Sequence, residues 1–176
     1  PRPVEQLFDA IDFGDDLIWD PSCGSGNILD VAKKRGHRTF GCDIIDRHAR
    51  HPFKRGDFLR MERGPQVQIG RAISVVNNPP YGYIEGIAEA FMRRTLEHHL
   101  QVHRAAFLVP IAFLCSDTRW RFFAVDYMPS HICVLSERPT MPPGSMVDEY
   151  TTYDGGMADY VWIVFTRPHR WCHRYG

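Results

Sequence analysis

Apolar residues along the chain fall into short blocks whose period switches repeatedly between that of a helix and that of a strand. Val4, Leu7, Phe8 and Ile11 stand at i, i+3, i+4 and i+7, the stripe of a helix lying on a core, and Gly14-Asp15-Asp16 stops it. Leu17-Ile18-Trp19 is a brief strand that delivers the chain into Asp20-Pro21-Ser22-Cys23-Gly24-Ser25-Gly26. Ile28, Leu29 and Ala32 then mark a helix ending near Gly36. Thr39 to Cys42 reads as a second strand ending in Asp43, and Ala72 to Val76 as a fully buried one. Further on, Ile84, Ile87, Ala88, Phe91 and Met92 form a helical stripe and Ala105 to Val109 a buried strand ending at Pro110. Ile111 to Tyr127 is expected to be a second helix of this half, with Asp117 as an internal cap. His131 to Ser136 and Tyr160 to Thr166 are expected to be a final strand pair.

Composition narrows the class. With 176 residues the chain is long enough for one core of ordinary size and short for two domains. Its 21 Lys+Arg balance 21 Asp+Glu, so contact with a polyanion has to come from a local patch. The 5 cysteines show no CxxC spacing and read as reduced thiols of a cytoplasmic protein. No apolar run approaches membrane-spanning length and the N-terminus has no charged-then-apolar leader, so a soluble, unexported protein without a membrane partner is expected.

Two stretches carry chemistry. Asn77-Asn78-Pro79-Pro80-Tyr81-Gly82 follows a buried strand, and two prolines can neither continue it nor enter a helix interior. The chain therefore leaves the sheet in a rigid, extended turn that offers an amide oxygen, the Pro79 carbonyl and the Tyr81 ring together. Such a set suits a planar group bearing an NH2: two acceptors for its hydrogens and a ring for its face. The second stretch is the strand, glycine loop and helix from Leu17 to Ala32, in which backbone N–H groups and a helix N-terminus face a ligand. Asp43 stands at the tip of the next strand, 17 residues beyond Gly26, where an acid can hold a ribose diol. Taken singly, each has a plainer reading: a proline turn, glycine punctuation, a helix-capping aspartate.

Taken in order they are more specific. The third glycine of the dinucleotide fingerprint is missing, because Leu29 occupies its place. With Asp20-Pro21 in front, the loop instead resembles the S-adenosylmethionine-binding loop of amino-methyltransferases, and Asn78-Pro79-Pro80-Tyr81 resembles the catalytic motif of N6-adenine DNA methyltransferases, notably the small phage-type enzymes. The resemblance implies a doubly wound, Rossmann-like α/β methyltransferase fold, with a mostly parallel central sheet and helices on both faces, as one catalytic domain over residues 1–176. It implies S-adenosylmethionine as cofactor, held by Asp20, Pro21, Ser22, Cys23, Gly24, Gly26, Asp43 and Ile44, with Asp43 at the ribose. Asp57 and Phe58 of Gly56-Asp57-Phe58 would stand at the adenine, with Asn78 shared between cofactor and catalysis. Asn78, Pro79, Pro80 and Tyr81 would then act on an adenine flipped out of duplex DNA, by direct in-line methyl transfer to its N6 amine. No metal is implied. Asn-Pro-Pro-Tyr also occurs in glutamine and rRNA amino-methyltransferases, and a non-enzymatic domain that has kept the fold is the remaining alternative.

The rest of the chain adds weaker expectations. The segment Glu137 to Asp159, rich in Pro, Gly, Met and Tyr, reads as a substrate-facing loop. Arg138-Pro139 and Asp159-Tyr160-Val161-Trp162 resemble the same region of the phage-type enzymes. That family carries a Tyr-x-Thr-Pro-like segment before its first helix, where Pro1-Arg2-Pro3 stands here. No separate target-recognition domain is evident, so short or relaxed target recognition is expected. The tail from Arg167 to Tyr175 mixes cations with aromatics and can grip a phosphate backbone or simply fray. His99 and His103 at i, i+4 read as a solvated helix face before a metal pair. Arg47, Arg50, Lys54, Arg55, Arg60 and Arg63 form a basic cluster that suits either a nucleic-acid groove or solvent. Trp19 and Trp120 read as core anchors. No oligomeric state is legible.

Overall fold

The computed structural model describes residues 2–47, 50–66, 71–80, 84–97, 102–139 and 158–167. Seven strands, β1 (Leu17–Asp20), β2 (Thr39–Asp43), β3 (Phe53–Arg55), β4 (Ile73–Asn77), β5 (Val102–Pro110), β6 (His131–Val134) and β7 (Tyr160–Thr166), alternate with α1 (Arg2–Ala10), α2 (Asn27–Lys34) and α3 (Ile87–Leu96) in the first part of the chain. They form one sheet in the order β3-β2-β1-β4-β5-β7-β6. All pairings are parallel except those of β7, which runs antiparallel to β5 and β6.

A parallel sheet needs crossovers, and the crossovers cover both of its faces. Alternation along β1 and β4 divides the core accordingly. Ile18 and Val76 point to the face covered by Val4 and Leu7 of α1 and Leu29 and Ala32 of α2. Leu17, Trp19, Ile73 and Val75 point to the opposite face, beneath Phe91 and Met92 of α3. Being covered on both sides is why these strands read as continuous apolar runs with no polar alternation. No helix among the described residues is long and apolar enough to cross a membrane.

Three expectations need correction, and one element went unread. A single helix over Ile111 to Tyr127 does not form; a 3-10 turn at Ile111–Phe113 and a π turn at Phe122–Asp126 flank a bend. Here the Arg119 guanidinium donates to the Phe113 carbonyl at 3.2 Å, a side-chain bond that takes a backbone acceptor a continuous helix would use. Asp117 therefore has no continuous helix to cap. Trp120, at the end of the bend, is 62% exposed and anchors nothing, whereas Trp19 is fully buried against Phe58 with ring centroids 5.4 Å apart. His103 lies on β5 and not on a helix, and its Nδ1 pairs with Asp16 Oδ2 at 3.0 Å; His99 lies outside the described residues. Finally, part of the basic cluster, Lys54 and Arg55, is the edge strand β3, too short at 3 residues to leave a hydrophobic period.

Candidate functional site

The direction of strand order reverses between β1 and β4: β2 and β3 follow β1 on one side, β4 and β5 lie on the other. In doubly wound sheets ligands sit in the crevice beyond the carboxyl ends of strands at such a reversal. Here the two strand ends facing that crevice are Asp20 and Asn77, and the chemistry singled out in the sequence leaves the sheet directly after them.

Asp20 ends β1 and is 1% exposed. Its Oδ1 accepts from the Asn77 side-chain amide at 2.8 Å and from the Ser22 backbone N–H at 3.2 Å. The Asn77 amide donates to Ser22 Oγ as well, at 2.7 Å, and Ser22 Oγ donates onward to the Asn78 carbonyl at 3.4 Å. The glycine loop and the proline turn are thus clasped together by side chains more than fifty residues apart in sequence. Burial pushes the Asp20 carboxyl up to about 7; the Asn77 and Ser22 hydrogen bonds oppose the shift and the Asp43 charge adds to it.

The loop itself turns through two left-handed glycines, Gly24 (φ 52) and Gly26 (φ 91), the latter at the N-cap of α2. A side chain at Gly24 would meet nothing within 4 Å, so the space beside it is open. The loop is fastened to β2 from below: Cys23 N–H donates to the Cys42 carbonyl at 2.9 Å, and Gly24 N–H to Asp43 Oδ2 at 2.8 Å. Asp43 Oδ1 accepts from Ile45 N–H at 3.1 Å, and Arg47 stands 3.9 Å from the same oxygen. Each carboxylate oxygen keeps a lone pair beyond these bonds. Ile44, next to Asp43, is 61% exposed and offers an apolar face at the strand tip. Gly56 N–H donates to the Asp43 carbonyl at 2.9 Å, which brings Asp57 to the same rim; Asp57 also caps the 3-10 turn at Phe58–Arg60 through Leu59 N–H.

Several predicted site residues serve from beneath. Cys23 is 6% exposed, and the Phe58 ring, 2% exposed, packs between Trp19 and Phe91. Only the backbones of these two residues can reach a ligand. Burial pushes the thiols of Cys23 and Cys42 up to about 12, so neither is a nucleophile. Pro21 and Pro79 are buried, Asn78 is half-buried and Pro80 is exposed. Tyr81 lies outside the described residues, as do residues 140–157 of the predicted loop and the tail beyond Arg167. The loop's described ends are tied by Arg138 Nε and Asp159 Oδ1 at 2.8 Å.

Two residues had gone unnoticed as parts of the site. Asn77 was read only as the first residue after a strand ending at Val76, yet it is the buried last residue of β4 and its amide holds the clasp; the signal was a polar side chain closing a mainly apolar buried run. Gly41 was unremarked because its reason is tertiary: a Cβ there would lie 2.8 Å from Cys23 Sγ and 3.1 Å from Leu29 Cδ1. It is the seat on which the glycine loop rests. Among the described residues no group of three His, Cys, Asp or Glu is placed to hold a metal ion.

No protein-family model matches the sequence, and no curated protein matches it. Solved structures do. The chain is similar to the 23S rRNA methyltransferase ErmE, at 14% identity and a TM-score of 0.59, covering 96% of this chain and 68% of that one. It is similar to a TehB-like SAM-dependent methyltransferase from Corynebacterium glutamicum at 17% identity and 0.55, covering 94% and 87%. A geranyl diphosphate C-methyltransferase from Streptomyces coelicolor, solved with S-adenosyl-L-homocysteine, matches at 17% and 0.59, covering 95% and 77%. Two of the three name substrates of different kinds, 23S rRNA and geranyl diphosphate, and what all three share with this chain is architecture. The seven-stranded sheet with its one reversed strand is the Rossmann-like fold of the S-adenosylmethionine-dependent methyltransferases.

Proposed function

We propose that this chain is an S-adenosylmethionine-dependent methyltransferase that acts on the exocyclic N6 amine of adenine in DNA. The observation that carries the reading is the clasp Asp20–Asn77–Ser22–Asn78, which binds the glycine loop and the Asn78-Pro79-Pro80 turn into one unit at the switch point.

The residues present fit the cofactor. Beside Gly24 there is open space, and Asn77 Oδ1 is buried without a hydrogen-bond partner among the described residues, an acceptor at the base of the site that a bound donor would satisfy. Ser22, Gly24 and the N-terminus of α2 would hold the methionine portion, Asp43 the ribose hydroxyls, and Ile44 and Asp57 the adenine. Asp20, protonated near neutrality when nothing is bound, would ionise beside a cationic ligand. When bound, the cofactor supplies an electrophilic methyl group on a sulfonium. Everything else is asked of the protein.

An adenine amine is a weak nucleophile because its lone pair is delocalised into the ring. The Asn78 side-chain oxygen and the Pro79 carbonyl would each accept one amine hydrogen, favouring a tetrahedral nitrogen whose lone pair points along the line of displacement. Prolines suit this task because a fixed φ holds the carbonyl without further support. A neutral amide is an acceptor and orienter, not a strong base, so the amine's proton leaves after the carbon–nitrogen bond has formed. Tyr81 would stack on the flipped base in place of its lost neighbours.

The same chemistry on RNA is the second reading, favoured by the similarity to the rRNA methyltransferase. Labelled methyl groups offered with duplex DNA, ribosomal RNA and a protein extract side by side decide among them. Incorporation into DNA adenine is expected. Label in RNA alone moves the assignment to the second reading, and label in protein alone removes nucleic acid as the substrate.

A further inference from the structure

The balanced composition hides a division of charge. Between Lys33 and Arg71 stand 11 Lys+Arg against 4 Asp+Glu, leaving 10 against 17 for the rest of the chain. All eleven of these cations are exposed. In the fold this segment runs from the end of α2 through β2 and β3, the two strands on one side of β1, and on to the start of β4.

Part of the charge has local reasons. Lys33 and Lys34 sit in the last turn of α2, where cations suit the helix dipole. Arg47, Arg55 and Arg60 lean on Asp43, the Ile44 carbonyl and Asp57. Lysine on an edge strand also guards against strand pairing, but one or two suffice for that. The side chains of Arg50, Lys54 and Arg63 make no hydrogen bond or ion pair with another described residue; Arg50 precedes β3, Lys54 lies within it and Arg63 follows the 3-10 turn after it. The cleft of about 350 Å³ at the opposite strand ends, lined by Arg35, Arg38 and Arg71, also carries Asp12 and Asp15, so its charge is mixed. The concentrated positive surface is the β3 edge.

We propose that this edge is a docking surface for the phosphodiester backbone of the nucleic acid whose base enters the site. Strands in a sheet are about 4.8 Å apart, so β3 lies roughly 14 Å from β4 and its Asn78 turn. Over that length a duplex carries about eight phosphate charges. A nucleic acid that crosses the strand ends from the β3 edge would therefore span to the proline turn, and the acidic remainder of the protein would set its direction by repelling it elsewhere. Phosphate contacts of this kind position a substrate and carry no sequence information, which agrees with relaxed recognition. The proposal deepens the nucleic-acid reading of the site, but binding needs neither cofactor nor turnover, so its failure is separable from failure of methyl transfer.

The test is binding of the full chain to a labelled 20-base-pair DNA duplex and to an RNA hairpin of similar charge, with salt raised from about 50 to 200 mM. Lys54→Glu/Arg63→Glu is expected to weaken binding at least about tenfold and to flatten the salt dependence by about 2 in log–log slope, close to 0.9 per lost phosphate contact. Arg2→Glu/Arg121→Glu, the same change in net charge away from the edge, is expected to leave both within about twofold. Melting curves check folding, and Lys54→Gln/Arg63→Gln repeats the measurement more mildly. The tighter of the two nucleic acids identifies the source of the backbone. Equal weakening by the two Glu pairs, polyglutamate binding as tightly as nucleic acid, or no binding of either at low salt would overturn the proposal.

Discussion

Strand β1 has a buried aspartate at each end, Asp16 before its first residue and Asp20 at its last, 7% and 1% exposed. Asp16 is well provided for: its Oδ2 takes the Ser74 hydroxyl at 2.5 Å and His103 Nδ1 at 3.0 Å, donors from the starts of β4 and β5. That carboxylate stitches three strands together and leads nowhere. Asp20 has two donors on one oxygen, a second carboxylate nearby at Asp43, and a pKa pushed up to about 7 chiefly by burial. Next to it Asn77 Oδ1 is buried without a partner among the described residues. The same residue type on the same strand is structural at the end where its bonds are completed inside the chain, and on the proposed function serves a ligand at the end where they are not.

The sharpest break of this contrast is Asn78→Ala. Turnover is expected to fall by about 10²–10³-fold or more, the cost of one positioned acceptor at a reacting centre, while cofactor affinity by calorimetry stays within about threefold. Near-normal transfer would reduce the proline turn to scaffolding.

Asp20→Asn and Asp43→Ala come next, each expected to weaken cofactor binding by about 10–100-fold through loss of a charged acceptor. For Asp20 the pH dependence gives a second measurement. Its folded pKa lies above the unfolded one, so the native state holds a proton that the unfolded state has lost, and wild-type stability falls as pH rises from about 4 to 7. Asp20→Asn removes that penalty: its melting temperature should exceed wild type at pH 8 and approach it at pH 4. A cationic ligand favours the ionised form, so wild-type affinity should rise with pH up to about 7 and then level, while the variant's stays flat. A flat wild-type profile would separate Asp20 from the cofactor.

At the quiet end of the strand, Asp16→Ala should cost about 1–3 kcal/mol in urea unfolding, because the Ser74 hydroxyl, 0% exposed, is left without an acceptor. Cofactor affinity should not follow. Gly41→Ala is expected to cost a similar or smaller amount, about 1–3 kcal/mol for an overpacked core, and to loosen the loop through Cys23. Trp120→Ala marks the floor: on an exposed bend it should change stability by less than about 0.5 kcal/mol.

How much of this was legible depends on the range of the interactions. The Asp20 to Gly26 loop, Asp43 and the Asn78-Pro79-Pro80 turn were readable because glycine, proline and strand-end acids impose their geometry on their own neighbours. The failures came where local signals competed. The apolar pattern over Ile111 to Tyr127 has helical spacing, but two short turns stand in its place, with the Arg119 guanidinium on the Phe113 carbonyl, Phe122 buried and Trp120 turned outward. The helical spacing of His99 and His103 was likewise incidental, since His103 belongs to a strand paired with β4 and β7.

The sequence by itself determined the alternation of strand and helix, and with it the parallel core, because backbone period and apolar period must agree wherever a face is buried. It also determined which residues end the strands. What only the tertiary structure decided is how those ends meet. Asn77 reaches Asp20 and Ser22 because β4 lies beside β1 and not beside β3, and Gly41 is compelled by Cys23 because β2 runs under the loop. Such contacts join residues far apart in the chain, and no local propensity encodes them. They are set when the strands choose their order.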